Sequence, residues 1–552
     1  MIYPELDSLR RVSETFEKMP KDFKTKNQLF MKGPIAKKVL NGLNPEGQKF
    51  LGYEVNSRRM WFITGLLLLF CSSFIGTIIM FFTNIFDNAI YNNLIIANNT
   101  DTFSLWEKPP VPAIIKLYIF NYTNVDDYEN RFVDKLNVEE VGPYVYEEIL
   151  ERVNVQFHDN DTVSYQEKRS YKFRPELSLG RKQSDQLVVP NVPLIGAANH
   201  QKESNFLARV GLSMVLGGLR QKPFLKLAAQ KFIFGYESDL YSISKSVLKF
   251  QNEKVSDEFG LLSQKVGLSQ DVITINTGAK DFNKIGVIEK INDDTDLHHW
   301  STDECNSYKG TDGTTFPPKI IKDKRQVNFF IKQFCRAIPM NYEKEVTILN
   351  GKIPAYKYTI PSEVFETSDV VPENQCFCDM KTSECPKKGV MNTSPCAFGV
   401  PLYVSLPHLK GADKSLRNGV TGLNPNPTDT ESYVYVHPTM GFLMSGASRF
   451  QGNLLMTKSY GVSQLDIFQE DEIMLPISWM EMGVDSKDLP DDVISLIYTT
   501  TFTIKGVQLG FKYGCLLTAI VTAVCIIIVL KSKYQMRPRT SSIRPLQRRE
   551  TC

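Results

Sequence analysis

Two long uncharged segments, one towards each end of the chain, constrain the fold most strongly. Residues 60–83 contain no charged side chain over 24 positions, and residues 513–530 contain none over 18. A helix needs about 20 apolar residues to cross the hydrocarbon core of a bilayer. The sequence therefore predicts two transmembrane helices, assigned to residues 60–83 and 511–530. The first begins too far into the chain for a cleaved signal peptide, and we interpret it as a retained signal anchor.

The charge distribution predicts the orientation of these two helices. Residues 1–59 carry 12 Lys and Arg against 7 Asp and Glu, and residues 531–552 carry 7 against 1. Residues 60–530 hold 45 basic and 53 acidic residues. Short basic segments stay on the cytoplasmic side of a membrane. Both tails are therefore predicted to be cytoplasmic, and residues 84–510 to form one extracellular ectodomain.

Cysteines and glycosylation sequons agree with this topology. Six of the ten cysteines fall in the predicted ectodomain, namely Cys305, Cys335, Cys376, Cys378, Cys385 and Cys396. An even number in an oxidising compartment predicts three disulfides, although six cysteines allow 15 pairings. A zinc site made of Cys376, Cys378, Cys385 and Cys396 is the alternative. N-x-S/T sequons in the same region predict glycans at Asn98, Asn121, Asn160 and Asn392.

The ectodomain is predicted to be a single α+β domain rich in strands. Residues 112–121, 142–148 and 353–360 are rich in β-branched and aromatic side chains and are bounded by Pro, Gly and Asn. Residues 200–240 differ, because apolar residues recur there at helical spacing from Phe206 until Gly217. Pro223 is suited to the first turn of a second helix that ends before Gly235.

This predicted helical block carries a cluster of cations. Between Lys202 and Gly235 only Glu203 opposes them, inside an otherwise acidic ectodomain. The cations are Lys202, Arg209, Arg220, Lys222, Lys226 and Lys231. One interpretation is an anion-attracting surface, and the other is an ordinary solvated helix face.

Catalytic motifs are missing from the sequence. There is no G-x-S-x-G, no H-E-x-x-H and no glycine-rich phosphate loop. The adjacent His298 and His299 are interpreted as structural residues. We therefore expect no enzymatic activity, no cofactor, no metal site and no nucleic-acid partner.

Several short motifs, in a fixed order between the two apolar segments, resemble the class B scavenger receptor family. Each motif alone is weak, but their order along the chain makes the resemblance specific. The motifs are Val-Gly-Pro-Tyr-Val-Tyr at 141–146, Val-Pro-Asn at 189–191, Phe-Gly-Tyr-Glu-Ser-Asp at 234–239, the run from Trp300 through Cys305 to Phe316-Pro-Pro, Cys-Phe-Cys at 376–378, and Gly-Leu-Asn-Pro-Asn at 422–426 leading to Gly441-Phe442.

The resemblance implies a fold, a disulfide pairing and a function. The fold would be an antiparallel-rich β-barrel with a helical apex and an internal lipid tunnel. The pairs would be Cys305–Cys376, Cys335–Cys396 and Cys378–Cys385. The six cations would form the ligand-binding part of the apex. The protein would then bind lipids (fatty acids, sterols, carotenoids or phospholipids), lipoproteins or anionic particles, and would mediate their uptake or transfer to the membrane. The alternative is a sensory or trafficking co-receptor that binds a protein partner at the apex.

The tails differ from those expected of the family. The 59-residue amino-terminal tail has no cysteine, so palmitoylation there is excluded. Cys552 is either acylated or an unmodified end, and the segment from Tyr3 to Leu6 has the pattern of a tyrosine-based sorting signal. The carboxyl-terminal tail lacks an acidic dileucine, which favours the plasma membrane over an endosomal or lysosomal membrane.

Overall fold

The computed structural model of the 552-residue chain describes residues 49–50, 53–54, 57–250, 255–380, 382–424 and 426–531. The predictions for Tyr3 to Leu6 and for Cys552 fall outside the described residues. The chain divides into two compact units. One contains the two long apolar helices, and the other runs from Phe86 to Ile504.

The α-helices of the described residues are numbered in chain order. They are α1 Ser57–Phe82, α2 Ile85–Leu94, α3 Asp101–Glu107, α4 Val125–Glu129, α5 Val192–His200, α6 Phe206–Gly218, α7 Ala229–Phe234, α8 Asp239–Phe250, α9 Asp303–Asn306, α10 Pro318–Lys322, α11 Asp491–Tyr498 and α12 Ile504–Lys531.

The strands are numbered in the same way. They are β1 Lys49–Phe50, β2 Tyr53–Glu54, β3 Ala113–Tyr122, β4 Leu136–His158, β5 Thr162–Phe173, β6 Gln186–Pro190, β7 Phe224–Ala228, β8 Gly267–Asn276, β9 Ile288–Ile291, β10 Val327–Ile331, β11 Arg336–Ile348, β12 Ile353–Thr359, β13 Val390–Asn392, β14 Leu402–Ser405, β15 Val420–Thr421, β16 Tyr433–Val436, β17 Leu443–Thr457 and β18 Glu472–Val484.

Helices α1 and α12 are long and apolar enough to cross a membrane. The Thr77 hydroxyl of α1 donates to the Ser73 carbonyl at 2.8 Å, so this polar group is satisfied within its own helix, as a lipid environment requires. The two helices contact each other where the Phe81 ring meets Tyr513 edge to face, with ring centroids 6.3 Å apart. Helix α12 begins at Ile504, earlier than the predicted span of 511–530.

The second unit is built on one 14-stranded sheet. Its main path runs β10-β11-β12-β16-β17-β18-β3-β4-β5-β8-β9, and every pair along this path is antiparallel. The segment at Gly310 and Thr311 connects the two ends of the path. The Ile288 N–H donates to the Gly310 carbonyl and the Phe330 N–H to the Thr311 carbonyl, each at 2.9 Å. The sheet is therefore a nearly closed barrel, as predicted.

The predicted strands are confirmed. Residues 113–121, 142–148 and 353–359 of the predicted segments lie in β3, β4 and β12 respectively. The largest group of buried side chains includes Leu117 of β3 and Tyr144 of β4. Alternating β-branched and aromatic residues thus identify strands that bury one face.

The helical block is confirmed in part. Helix α6 covers the predicted first helix and ends at Gly218. The predicted start of the second helix is wrong, because Phe224–Ala228 forms strand β7, which pairs with β6. The Asn191 N–H donates to the Pro223 carbonyl at 2.7 Å, and its side-chain amide donates to the Lys222 carbonyl at 2.8 Å. These contacts hold the segment extended against β6, and only α7 is helical before Gly235.

Candidate functional site

The outward face of α6 is apolar. Leu207 is 78% exposed and Met214 is 72% exposed, and Val215 lies on the same side of the helix. The opposite side contacts the core through Leu212 and Leu216. Globular proteins normally place such side chains inside, so an exposed apolar face of this kind indicates an interaction surface.

Side chains at both ends of α6 fix the helix in place. The Asn205 side chain accepts a hydrogen bond from the Ala208 N–H at 2.9 Å and so caps the amino terminus. The Gln464 amide donates to the Ser213 carbonyl at 3.0 Å. Arg209 donates to the carbonyls of Lys202, Ser204 and Tyr460 at 2.8 to 3.1 Å. Of the six predicted cations, Arg209 thus has its guanidinium engaged with the backbone.

The other five predicted cations are exposed. They are Lys202, Arg220, Lys222, Lys226 and Lys231. Within the part of the chain that the structure describes, the salt bridges include none of them. Arg220 follows the end of α6 in the left-handed region, with φ of +52°, and its N–H donates to the Gly217 carbonyl at 3.0 Å.

We call α6's exposed apolar side chains, together with these five cations, the apex surface. Lys226 belongs to β7, whose partner strand is β6, and Lys231 belongs to the following helix α7. Exposed apolar side chains and exposed cations thus occur in the same segment of the chain, and the salt bridges of the described residues include none of these five cations.

The three disulfides have the pairing that the resemblance implied. Cys305–Cys376, Cys335–Cys396 and Cys378–Cys385 have Cα atoms 6.4, 5.4 and 4.2 Å apart respectively. The zinc alternative is wrong, because each of its four cysteines is bonded to another sulfur. His299 lies near the Cys335–Cys396 sulfurs, but a disulfide offers no thiolate to a metal.

The four sequons differ in exposure. Asn98 and Asn160 are exposed on turns. Asn121 is half-buried in β3, and its side-chain oxygen accepts the Val188 N–H at 2.8 Å. Asn392 is only 4% exposed in β13. Asn98 and Asn160 are therefore more exposed to solvent than Asn121 and Asn392.

Sequence reasoning missed two buried arginines, Arg152 and Arg336. Arg336 is buried over the Phe377 ring, with its guanidinium carbon 3.7 Å from the ring centroid, and it donates to the Asn392 carbonyl at 3.3 Å. Burial lowers the pKa of Arg336 to about 9. A lone arginine within a strand pattern gives no sequence signal that it faces inward.

The ectodomain is a nearly closed β-barrel that contains three disulfides. In the sequence it lies between two helices that are long and apolar enough to span a membrane. These features define a class of two-pass membrane proteins. A sequence profile of the CD36 family matches residues 63–530, so the chain belongs to the CD36 family.

Individual relatives cover most of the chain. It is 31% identical to scavenger receptor class B member 1 of Rattus norvegicus over 431 residues, which are 78% of this chain and 82% of that protein. It is 30% identical to lysosome membrane protein 2 of the same species over 462 residues, which are 82% of this chain and 92% of that protein. These relatives place the chain among the class B scavenger receptors.

Proposed function

We propose that this protein is a receptor that captures lipids, lipoproteins or other lipid-bearing anionic particles at the apex surface and passes hydrophobic cargo to the membrane. The observation that carries the proposal is the occurrence of an exposed apolar face on α6 together with exposed cations that form no salt bridge among the described residues. Leu207 and Met214 would lose contact with water on binding, at about 25 cal/mol for each Å² of apolar surface. The cations would attract the anionic headgroups over about 8 Å at physiological salt.

Transfer through the barrel is the second part of the proposal. Moving an acyl chain into water costs about 0.8 kcal/mol for each methylene, so a continuous apolar conduit would remove a large barrier. The nearly closed sheet supports this idea, because it can enclose such a conduit. Anchors at both ends of the ectodomain would hold the exit of the conduit beside the outer leaflet.

The proposed setting is the plasma membrane, with both termini in the cytoplasm. The excess of Lys and Arg in both tails supports this orientation. The disulfides support an oxidising compartment for the ectodomain. One relative is named as a lysosome membrane protein, so an endosomal or lysosomal membrane is the alternative setting.

A second candidate function is a sensory or trafficking co-receptor. The exposed face of α6 supports it as well, because an amphipathic groove on a partner protein could cover the same apolar side chains. In this case the apolar contacts would dominate and the cations would matter less.

Charge reversal separates these functions. Cells that express the variant R220E/K222E/K226E should take up several-fold fewer fluorescent phosphatidylserine vesicles than cells with equal surface expression of the wild type. The reason is that each charge reversal replaces attraction to the anionic vesicle by repulsion. A matched control is K284E/K290E/K352E, which reverses three exposed lysines away from the apex surface. Raising the salt concentration should reduce the difference in vesicle uptake between wild type and the apex variant.

Equal uptake by the apex variant and the control would reject capture at the apex surface. A protein that co-purifies in stoichiometric amount, and is lost when Leu207 and Met214 are changed to serine but kept in the charge variant, would favour the co-receptor. Mass spectrometry of lipids retained by the purified protein tests the conduit.

A further inference from the structure

The connection between β5 and β6 exposes two leucines at its tip. Leu177 is 45% exposed and Leu179 is 80% exposed. We call residues 174–182 the leucine loop. Its leucines belong to neither the predicted cation cluster nor the exposed face of α6.

The base of the leucine loop is firmly held. Ser178, between the two leucines, is fully buried; its hydroxyl donates to the Arg174 carbonyl at 2.8 Å and accepts the Val145 N–H at 3.0 Å. The Arg174 N–H donates to the Val145 carbonyl at 2.9 Å. The loop is thus hydrogen-bonded to strand β4 at Ser178, the residue between the two leucines.

The backbone at the tip directs Leu179 outward. Leu179 and Gly180 both occupy the left-handed region, with φ of +50° and +82°. Leucine rarely adopts this conformation. Here a turn holds it, because the Arg181 N–H donates to the carbonyl of the buried Ser178 at 2.9 Å. Leu179 is therefore presented to the outside by a fixed turn.

Three cations lie close to the leucines in the sequence. Lys172 and Lys182 are exposed, Arg181 is half-buried, and no salt bridge among the described residues includes any of the three. The nearby carboxylates are already engaged. Arg174 pairs with Glu147 and Glu176, at 2.9 and 2.5 Å.

Backbone contacts hold the segment that follows the leucine loop against α7. The Gln230 N–H donates to the Gln183 carbonyl and the Ala229 N–H to the Asp185 carbonyl, each at 2.9 Å. The chain just beyond the loop therefore lies against the start of α7, the helix that carries Lys231.

We infer that the leucine loop inserts into an anionic phospholipid surface. Leu177 and Leu179 would enter the acyl region, while Lys172, Arg181 and Lys182 would contact phosphate and carboxylate headgroups. Apolar residues at a fixed tip, with cations on both sides of them in the chain, match the two layers of such a surface. The inference deepens the proposed function and rests on it, because it specifies an anionic phospholipid layer as the ligand.

The test uses the full-length protein in nanodiscs of zwitterionic phosphatidylcholine, with vesicles of phosphatidylserine and phosphatidylcholine as the probe. The variant L177S/L179S should bind these vesicles about 30-fold more weakly than wild type, since two leucines lose their burial in the acyl region. The matched control V370S/M380S removes two other exposed apolar side chains and should bind as wild type does. An unchanged melting temperature for both variants shows that folding is intact.

Insertion is measured separately with L179W and vesicles whose acyl chains carry bromine. The tryptophan at position 179 should be quenched, and that of the control V370W should not. Absence of quenching at position 179, or equal vesicle binding by wild type and L177S/L179S, would overturn the inference. A protein partner that binds the leucines would give the same negative quenching result.

The charge variant R220E/K222E/K226E in the same binding assay distinguishes the two proposals. Loss of binding in this variant but not in L177S/L179S keeps the proposed function and rejects insertion of the leucine loop. Loss in L177S/L179S together with quenching of L179W, but not in the charge variant, keeps the loop and rejects capture by the apex cations. No loss in either variant rejects both.

Discussion

At the scale of single residues, Arg152 has the most constrained surroundings. It is 1% exposed on β4, donates to the Trp106 carbonyl, and forms a salt bridge with Asp312 at 2.5 Å. Its guanidinium carbon lies 5.0 and 5.5 Å from the ring centroids of Trp106 and Tyr165. One buried cation thus links β4 and β5 to helix α3 and to the loop that contains Asp312.

Removing the anion of this pair should destabilise the protein strongly. D312N keeps an oxygen for the Thr314 N–H, which donates to Asp312 at 2.9 Å, but leaves Arg152 buried without a counter-charge. We expect a loss of about 3 kcal/mol in the free energy of unfolding. The double variant R152M/D312N should recover part of this loss, because it buries no charge.

Thermal unfolding of the full-length variants in detergent measures these differences. K108M/E151Q is the control, since it removes an exposed ion pair at 2.7 Å and should leave the melting temperature unchanged. If D312N has the same melting temperature as wild type, then the stability of the fold does not depend on the negative charge that Asp312 offers to Arg152. Sequence could not reveal this pair, because its members are 160 residues apart and each is a common surface residue type.

At the scale of elements, the disulfides should contribute unequally. Cys305–Cys376 closes a separation of 71 residues, whereas Cys378–Cys385 closes 7. Loop-closure entropy predicts about 4 kcal/mol for the first and about 2 kcal/mol for the second. We therefore expect C305S/C376S to lower the melting temperature more than C378S/C385S does. The reverse order would show that native-state contacts, rather than the unfolded chain, dominate.

Glycan occupancy should follow the exposure of each sequon. Peptide-N-glycosidase F should remove much less mass from N98Q/N160Q than from wild type, since both positions lie on exposed turns. It should remove as much mass from N121Q/N392Q as from wild type, because Asn121 binds the Val188 N–H and Asn392 is buried. Mass spectrometry of tryptic peptides checks each position, and a fully occupied Asn392 would contradict this expectation.

The sequence predicted elements well where local pattern and tertiary contacts agree. Strand β3 was evident because its β-branched and aromatic residues also fill the core. Strand β7 was missed because Pro223 suits a helix locally, whereas hydrogen bonds from the distant Asn191 hold the segment extended. Helix α6 was found by its spacing, but both of its faces are apolar, so the sequence could not show that Leu207 and Met214 face outward.

At the scale of the whole molecule, buried and partly buried ion pairs fasten neighbouring strands of the barrel. Glu481 of β18 accepts from Lys116 of β3 at 2.7 Å and from Arg449 of β17 at 2.6 Å. Glu148 of β4 is buried and accepts from Arg169 of β5 at 2.5 Å. These pairs connect consecutive strands along the path that closes the sheet.

The same carboxylates determine how the barrel responds to acid. Burial alone would raise the pKa values of Glu481, Glu148 and Asp312, but the facing cations and hydrogen bonds outweigh it, so all three are lower than usual. A carboxyl group with a depressed pKa in the folded state stabilises the protein above its unfolded-state pKa, which is about 4. That stability is lost as the pH falls through the lower, folded-state pKa.

The contribution of these groups should therefore be complete above about pH 5, should begin to fall near pH 4, and should be lost as the pH drops through their folded-state pKa values. We expect the melting temperature of the full-length protein to fall most steeply below about pH 4. E481Q should melt lower than wild type at pH 7, and the gap should shrink on acidification, because the wild-type carboxylate also becomes neutral. A gap that stays constant from pH 7 to pH 3 would show that Glu481 acts through packing instead of charge. Since the loss begins below pH 5, these ion pairs would hold the barrel together equally well at a cell surface and in an acidic organelle.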